Sequence, residues 1–227
     1  MPPLIAEDLL WLLHSDDDGC CMIDRVALDP LLAGALLVEL STGTTAESIP
    51  PVTITDRGRW APQVMATPHA VPGYRNQSDP VVVDAIAQIA ARALSPARMI
   101  TDCGRGLRAT VSARLVADGR VRHERGRILG LVPFDAWPTL DLERKRALRH
   151  SMQRTLLDNH SPDPRTEALI TLLSVVRAAG KQCPGWDAES IENLVRARGR
   201  RFVPKAAVAA VEAAVFNAQA GTFTGAA

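Results

Sequence analysis

The longest apolar run in the chain, at residues 31–40, predicts a buried central helix. The pair Asp29-Pro30 comes directly before it, and aspartate and proline are favoured at the N-cap and the first helical position. The run is apolar on every face except at Glu39, and a helix that is apolar all round is buried on all sides. Its small residues at 33–35 predict close contact with neighbouring helices. The run is shorter than the about 20 apolar residues that span a bilayer.

Amphipathic or apolar patterns predict helices along most of the remaining chain. The pairing of an N-cap residue with proline recurs as Ser-Pro at 95–96 and as Asp-Pro at 79–80 and 163–164. We therefore expect a mostly α-helical, single domain over residues 1–227, with a frayed tail at 222–227. The predicted helices span 4–13, 80–90, 97–103, 107–117, 141–157, 168–179, 188–198 and 205–220.

Two segments favour β-structure instead. Residues 41–80 are rich in Ser, Thr, Pro and Gly, and they are expected to be irregular or mobile apart from strand-like pieces at 52–55 and 64–66. Residues 121–137 contain two short strand patterns around a Glu-Arg-Gly turn at 124–126. This arrangement predicts a β-hairpin.

The predicted hairpin carries more apolar side chains than a solvated hairpin needs. Exposed apolar patches of this kind usually mark contact sites. We therefore expect the hairpin to pack on another subunit, which would make a homo-oligomer, or to cap the helices of its own chain. The residues concerned are Leu129, Leu131, Val132, Phe134 and Trp137.

Composition and charge narrow the class of protein only slightly. Aromatic residues make up 4% of the chain, so Leu, Val and Ala must fill the core. The formal net charge is +1, but eight arginines lie within 98–127 and acidic residues are frequent in 7–24. The four cysteines lack Cys-x-x-Cys spacing, and the N-terminus lacks the basic region of a signal peptide. We expect free thiols in a reducing cytosol.

The sequence lacks the common motifs for catalysis, cofactors and metals. It contains no P-loop, no dinucleotide-binding glycine pattern, no nucleophile elbow and no His-Glu-x-x-His. The five histidines share no metal-ligand spacing. The aspartates at 16–18 lack the alternate spacing of a calcium loop and are typical of a solvated turn. We therefore expect a protein that is not an enzyme and has neither a cofactor nor a metal site.

The arginine-rich segment suggests a binding function. Arg105 and Arg108 are three residues apart, so on a helix they would share a face and bind one phosphate group together, beside Arg98 or another basic residue. The alternative is a solvated basic helix face, which is common. The order of the helix at 107–117 and the hairpin that follows it also matches a winged-helix DNA-binding module.

Five short motifs carry a family resemblance through their order and spacing. They are Leu9 to Gly19, the run Leu32-Ala33-Gly34-Ala35-Leu36-Leu37-Val38-Glu39-Leu40, the segment Arg114-Leu115-Val116-Ala117-Asp118-Gly119, Trp137-Pro138-Thr139 with Asp141, and Asp163-Pro164-Arg165 before Ala168-Leu169-Ile170. With these motifs the chain resembles the Golgi phosphoprotein 3 family over nearly its whole length, and most closely an actinobacterial member.

The resemblance implies a central helical bundle ringed by amphipathic helices, with a projecting β-hairpin used for self-association. Eukaryotic members of the family are peripheral membrane proteins that bind phosphatidylinositol 4-phosphate and hold glycosyltransferases in the Golgi by their cytoplasmic tails. Their head-group pocket uses a tryptophan, an arginine and a pair of arginines three residues apart. The pair matches Arg105 and Arg108, whereas Asp24 and Ala33 stand at the positions of the tryptophan and the other arginine.

Two functions of different classes follow. The first is a peripheral membrane or adaptor protein that binds an anionic phospholipid or phosphoinositide head group. The second is a winged-helix-like DNA-binding regulator. The resemblance and the nearly neutral net charge favour the first, since a DNA-binding protein is expected to be strongly basic. The expected location is cytoplasmic, at the inner face of the membrane. The expected partners are the cytoplasmic tails of membrane enzymes and further copies of this chain, with no nucleic acid.

Overall fold

The computed structural model describes residues 3–42, 50–55, 62–67, 79–92, 94–128, 132–158 and 163–224. Within these ranges the chain is mostly α-helical, which confirms the predicted fold class. The α-helices are α1 (Ile5–Leu13), α2 (Arg25–Ser41), α3 (Pro80–Ala91), α4 (Pro96–Cys103), α5 (Leu107–Ala117), α6 (Leu142–Leu157), α7 (Pro164–Val175), α8 (Ala188–Arg198) and α9 (Lys205–Thr224).

Two antiparallel hairpins accompany the helices. The first pairs β1 (Val52–Thr55) with β2 (Gln63–Ala66), which confirms the strand pieces predicted there. The second pairs β3 (Glu124–Ile128) with β4 (Val132–Ala136). Most of the segment 41–80, for which irregular structure is predicted, lies outside the described residues.

Helix α2 is the centre of the fold. It contacts α1, α4, α5, α7 and α9, while α6 and α8 pack on α7 from outside. Every residue of 31–40 is buried, as predicted. Gly34 lies against Val211 of α9 so closely that a Cβ atom at Gly34 would overlap the valine side chain. The small residues at the middle of α2 therefore allow the closest helix packing in this part of the core.

The predicted N-cap of the central helix is wrong. Helix α2 begins at Arg25, and the Asp24 carboxylate caps it by accepting a hydrogen bond from the Val26 amide over 3.1 Å. Pro30 therefore lies inside the helix, where it removes only the bond that its amide would have made to the Val26 carbonyl. The cap is thus an aspartate five residues before Asp29, and the Asp29-Pro30 pair lies at the helix surface, with Asp29 exposed and Pro30 partly buried.

The predicted hairpin turn is also wrong. Residues 124–126 are paired within β3, with Gly126 opposite Phe134, and the connection between the strands lies outside the described residues. The ring of Phe134 lies directly over Gly126, which leaves no room for a side chain there. The glycine therefore accommodates a cross-strand aromatic ring rather than a turn.

Two predicted helix ends differ from the structure. Helix α7 begins at Pro164 and ends at Val175, four residues before the predicted end, and Arg177 then adopts a positive φ of 52°. Gly180 is not a helix stop; it packs against Ala188 at the start of α8. Helix α9 continues to Thr224, so the first three residues of the predicted frayed tail at 222–227 are helical. The rest of that tail lies outside the described residues.

Buried ion pairs tie α1 to the later helices. Asp8 of α1 accepts hydrogen bonds from Arg120 (3.1 Å) and Arg165 (2.6 Å), and all three side chains are largely buried. Glu39 is also buried, and it accepts a bond from the Ile5 amide at the start of α1 over 2.7 Å. The one polar residue of the apolar run thus caps a helix that begins 34 residues earlier in the chain.

A buried lysine explains the acidic turn at 16–18. The ammonium group of Lys145 is fully buried and lies 2.7 Å from Asp16 and 2.6 Å from the carbonyl oxygen of His14. Arg149 also contacts Asp16. The turn is exposed, as predicted, but Asp16 has the further task of neutralising a charge that burial would otherwise disfavour.

Candidate functional site

The turn between α4 and α5 separates the two predicted arginines, because Arg105 lies in the turn and Arg108 lies in α5. Gly104, Arg105 and Gly106 form a turn, with Gly106 at a positive φ of 74°, and Arg108 lies in the first turn of α5. The expectation that Arg105 and Arg108 share one helix face is therefore wrong. The left-handed conformation at Gly106 redirects the chain between them, which a spacing argument from continuous helix does not anticipate.

Arg105 belongs to a cluster of three arginines around one carboxylate. Asp102 of α4 lies 2.7 Å from Arg98, 3.0 Å from Arg92 and 3.6 Å from Arg105. The arginine side chains are 56%, 62% and 75% exposed in that order, whereas Asp102 is 9% exposed. The hydrogen bond from Arg98 is the largest cause of the lowered pKa of Asp102, so this carboxylate stays ionised. The cluster, here named the arginine cluster, presents three positive charges against one negative charge.

Arg108 makes a different ion pair. Its Nε atom lies 3.2 Å from Oδ1 of Asp29 on the exposed surface of α2, and both side chains are at least 40% exposed. Helix α5 starts beside it without a side-chain cap. The Leu107 amide donates to the carbonyl oxygen of Gly104 over 3.2 Å, so the amides of the next two residues are those that can meet an anion. Exposed ion pairs contribute about 0–1 kcal/mol, so Arg108 can exchange Asp29 for a stronger anionic partner at little cost.

Two cavities flank this region. One of them, named the second cavity, has a volume of about 440 Å³. It lies between α2, α4, α9 and the turn that leads from α4 to α5. Its wall includes Asp29, Thr101, Arg105 and the backbone of Gly104 and Gly106. The exposed Arg105 at its edge and the glycine backbone give it the chemistry of an anion site.

Asp24 and Ala33, which stand where the resemblance expects a tryptophan and an arginine, do not supply a head-group contact. Asp24 caps α2 through its carboxylate. Ala33 is fully buried and lies against Gly104, whose Cβ, if present, would be 3.1 Å from that of Ala33. Of the four residues that the resemblance assigns to the family's pocket, Arg105 and Arg108 are therefore the two that can meet an anion in this chain.

The other cavity, here named the first cavity, is larger, at about 760 Å³, and lies between α1, α2, α5 and the second hairpin. Its wall is mainly apolar, and Arg25, Arg108 and Arg125 lie in it with Asp135. Arg108 lines the first cavity while its partner Asp29 lines the second, so one ion pair joins the walls of both.

Two of the apolar residues predicted to mediate self-association line the first cavity, and two others lie outside the described residues. Phe134 and Trp137 are partly buried and line the first cavity. The ring of Trp137 stacks on His123 with centroids 4.1 Å apart, and it also packs against the hydrophobic core. Leu129 and Leu131 lie outside the described residues, and Val132 begins β4. Self-association through the hairpin stays a prediction.

Charged residues that the sequence analysis did not single out complete the site. Arg92 joins the arginine cluster from the end of α3, and Arg25 and Arg125 both contact Asp135 at the first cavity. The arginine density of 98–127 was visible in the sequence, but the contribution of Arg25 and Arg92 was not. Their convergence depends on how α2 and α3 pack against the arginine-rich segment.

The exposed face of α5 bears on the DNA-binding alternative. After Arg108, the exposed positions of this helix carry uncharged residues, namely Ala109, Thr110, Ala113, Val116 and Ala117. A recognition helix reads base edges through polar or basic side chains on such a face. This face offers one hydroxyl group and no charge, so it does not favour the winged-helix hypothesis.

Comparison with known proteins identifies a family. The sequence model of the family described as Golgi phosphoprotein 3 (GPP34) matches residues 5–218. No curated protein sequence matches the chain. In the described part of the chain, no helix has the length and apolar character needed to cross a membrane.

Proposed function

Because this chain belongs to the Golgi phosphoprotein 3 family, we propose that it is a peripheral membrane or adaptor protein that binds anionic phospholipid head groups. The proposed location is the cytoplasmic face of a membrane, and the cytoplasmic tails of membrane enzymes are proposed partners. The observation that carries the proposal is the arginine cluster, in which Arg92, Arg98 and Arg105 share one carboxylate.

The charge of the arginine cluster supports binding to an anionic surface. Asp102 can neutralise one of its three arginines, and each of the three is more than half exposed. Each basic side chain near an anionic membrane contributes about 1 kcal/mol. Guanidinium groups also donate paired hydrogen bonds to phosphate oxygens, which adds geometric preference to the charge.

The second cavity supports a role for the head group itself. A phosphate there would meet Arg105 and the backbone of the glycine turn, next to the start of α5. Arg108 would join it by releasing Asp29, since that ion pair is exposed and weak. We infer that binding is accompanied by this exchange of partners.

Recognition of phosphatidylinositol 4-phosphate in particular is weaker than in the eukaryotic members. Asp24 and Ala33 replace the tryptophan and the arginine that the family uses, and Asp24 adds negative charge at the start of α2. We therefore propose that charge, rather than the identity of the head group, governs affinity. A single subunit would bind weakly and with strong salt dependence, and self-association through the hairpin would strengthen binding by multivalency.

Sedimentation with vesicles tests the proposal. The full chain is mixed with phosphatidylcholine vesicles that are neutral or contain phosphatidylglycerol, phosphatidic acid or phosphatidylinositol 4-phosphate. The expected result is sedimentation with each anionic vesicle, reduced by added salt, and none with neutral vesicles. A gel shift with duplex DNA is run alongside. A DNA shift without vesicle binding would instead support the winged-helix alternative.

A further inference from the structure

The first cavity shares Arg108 with the proposed head-group site but is otherwise separate from it. It lies on the other side of Arg108 from the second cavity, and it is the larger of the two. Its volume falls within the about 300–1,000 Å³ of typical ligand pockets. We propose that the first cavity binds a single acyl chain that carries an anionic head group.

The wall of the first cavity suits an acyl chain. Ile23 and Leu28 line it from the region of α2, Val116 from α5, and Phe134 and Trp137 from the second hairpin. These side chains come from three separated parts of the chain, so they line the cavity from several sides. Apolar surface of this kind gains about 25 cal/mol for each Å² that a ligand removes from water.

The most deeply buried histidine among the described residues of the wall is uncharged. His14 lines the first cavity and is almost completely buried. Burial and, to a smaller extent, the nearby ammonium group of Lys145 lower the pKa of His14 to about 3. The imidazole is therefore neutral at physiological pH, so His14 adds no charge to the wall that an acyl chain would have to desolvate.

The positive charges lie where the head group of such a ligand would be. Arg25 and Arg125 line the cavity with largely exposed side chains, and Arg108 is partly exposed. Among the described residues that line this cavity, Asp135 is the only carboxylate, and it already lies 3.1 Å from Arg25 and 3.0 Å from His123. Arg108 is also paired with Asp29 at 3.2 Å, so three guanidinium groups face two carboxylates, and the remaining positive charge favours an anionic head group over a neutral or cationic one.

Calorimetric titration of the full chain tests the inference with soluble probes. Decanoate carries the proposed chain and charge, butyrate has the charge without the chain, and decyltrimethylammonium has the chain with the opposite charge. We expect saturable binding of one decanoate per chain, and binding of the other two probes that is weaker by about tenfold or more. Decanoyl lysophosphatidate then distinguishes the source of the ligand: tighter binding than decanoate indicates a membrane lipid, and weaker binding indicates a free fatty acid.

Two matched variants locate the binding site. Ala113 and Ala117 are both exposed on α5, but only Ala113 lines the first cavity. Ala113→Trp should therefore reduce decanoate affinity by about tenfold or more by filling the cavity, while Ala117→Trp should bind as the unmodified protein does. Arg125→Gln should weaken decanoate binding several-fold and leave the weak binding of decyltrimethylammonium unchanged.

The outcome is independent of the head-group proposal. Ala113 lies outside the arginine cluster and the second cavity, so Ala113→Trp should still sediment with anionic vesicles. Loss of decanoate binding with retained sedimentation supports the inference. Absence of saturable decanoate binding, or equal affinity in the Ala113→Trp and unmodified proteins, would overturn it, whatever the vesicle experiment gives.

Discussion

The Nε atom of Arg108 lies 3.2 Å from Oδ1 of Asp29, and this exposed ion pair connects the walls of the two cavities. Asp29 lies on α2 and Arg108 on α5, so the pair forms only because these helices pack together. In the absence of a ligand it satisfies the guanidinium group. An anion that competes for Arg108 has to displace one carboxylate that is itself well solvated.

Removing the competing carboxylate should strengthen anion binding. Asp29→Asn eliminates one negative charge beside Arg105 and Arg108 and frees the latter for a phosphate. We expect affinity for anionic vesicles to rise by about fivefold, which corresponds to about 1 kcal/mol for an exposed charge near the surface. The melting temperature should change little, because exposed ion pairs contribute about 0–1 kcal/mol to stability. Unchanged or reduced vesicle binding would show that Asp29 does not compete with the ligand.

Filling the helix contact at Gly34 should destabilise the protein. A Cβ at this position would overlap the side chain of Val211. Overpacking a core in this way costs about 1–3 kcal/mol, so Gly34→Ala should lower the free energy of unfolding measured with urea. Combining it with Val211→Ala should recover part of the loss, since the clash is with that side chain. A double variant less stable than the sum of the single effects would contradict this contact.

Local sequence patterns predict most of the helices, but not every helix end. Asp79, Ser95 and Asp163 cap helices as their sequence patterns predict. At the start of α2 two aspartates compete, and the cap is Asp24 because the residues after it can already form a helical turn. Gly126 resembles a turn residue in the sequence, but its neighbour across the strands, Phe134, requires a glycine there. The cap of α2 therefore follows from local sequence, whereas a contact between distant residues explains the glycine.

The candidate site was predictable in its residue types but not in its geometry. The density of arginine in 98–127 indicated an anion-binding surface. The partners of those arginines come from other parts of the chain, such as Asp29 for Arg108 and Asp8 for Arg120. Whether an arginine is free to bind a ligand or is used to neutralise a buried acid therefore depends on tertiary packing, which spacing along one helix does not reveal.

Acid should destabilise the protein through His14. The folded state holds this side chain neutral down to a pKa of about 3, whereas the unfolded chain binds the proton at about 6.5. Its contribution to stability is therefore complete above pH 6.5 and is lost as the pH falls toward 3, by about 1.4 kcal/mol per pH unit. His14→Phe cannot bind the proton and should show a smaller decrease in unfolding free energy between pH 6.5 and 4.5. Parallel pH profiles of the two proteins would contradict this.

The hairpin should mediate self-association. Leu129→Ser combined with Leu131→Ser replaces two apolar side chains of the hairpin sequence without changing any residue paired between β3 and β4. We expect sedimentation equilibrium to show an oligomer for the unmodified protein and a monomer for this variant. Leu140→Ser is the control, because Leu140 is an exposed leucine outside the hairpin. A monomeric unmodified protein at high concentration would exclude the subunit contact.

Vesicle sedimentation of an arginine variant tests the central claim most directly. Arg105→Ala combined with Arg108→Ala is compared with Arg144→Ala combined with Arg146→Ala, which removes the same charge from exposed positions on α6. Losing two arginines near an anionic surface costs about 2 kcal/mol, or roughly thirtyfold in partitioning. We predict that the first variant fails to sediment with phosphatidylglycerol vesicles while the second sediments normally, with both melting temperatures nearly unchanged. Equal sedimentation of the two variants would contradict the proposed head-group site.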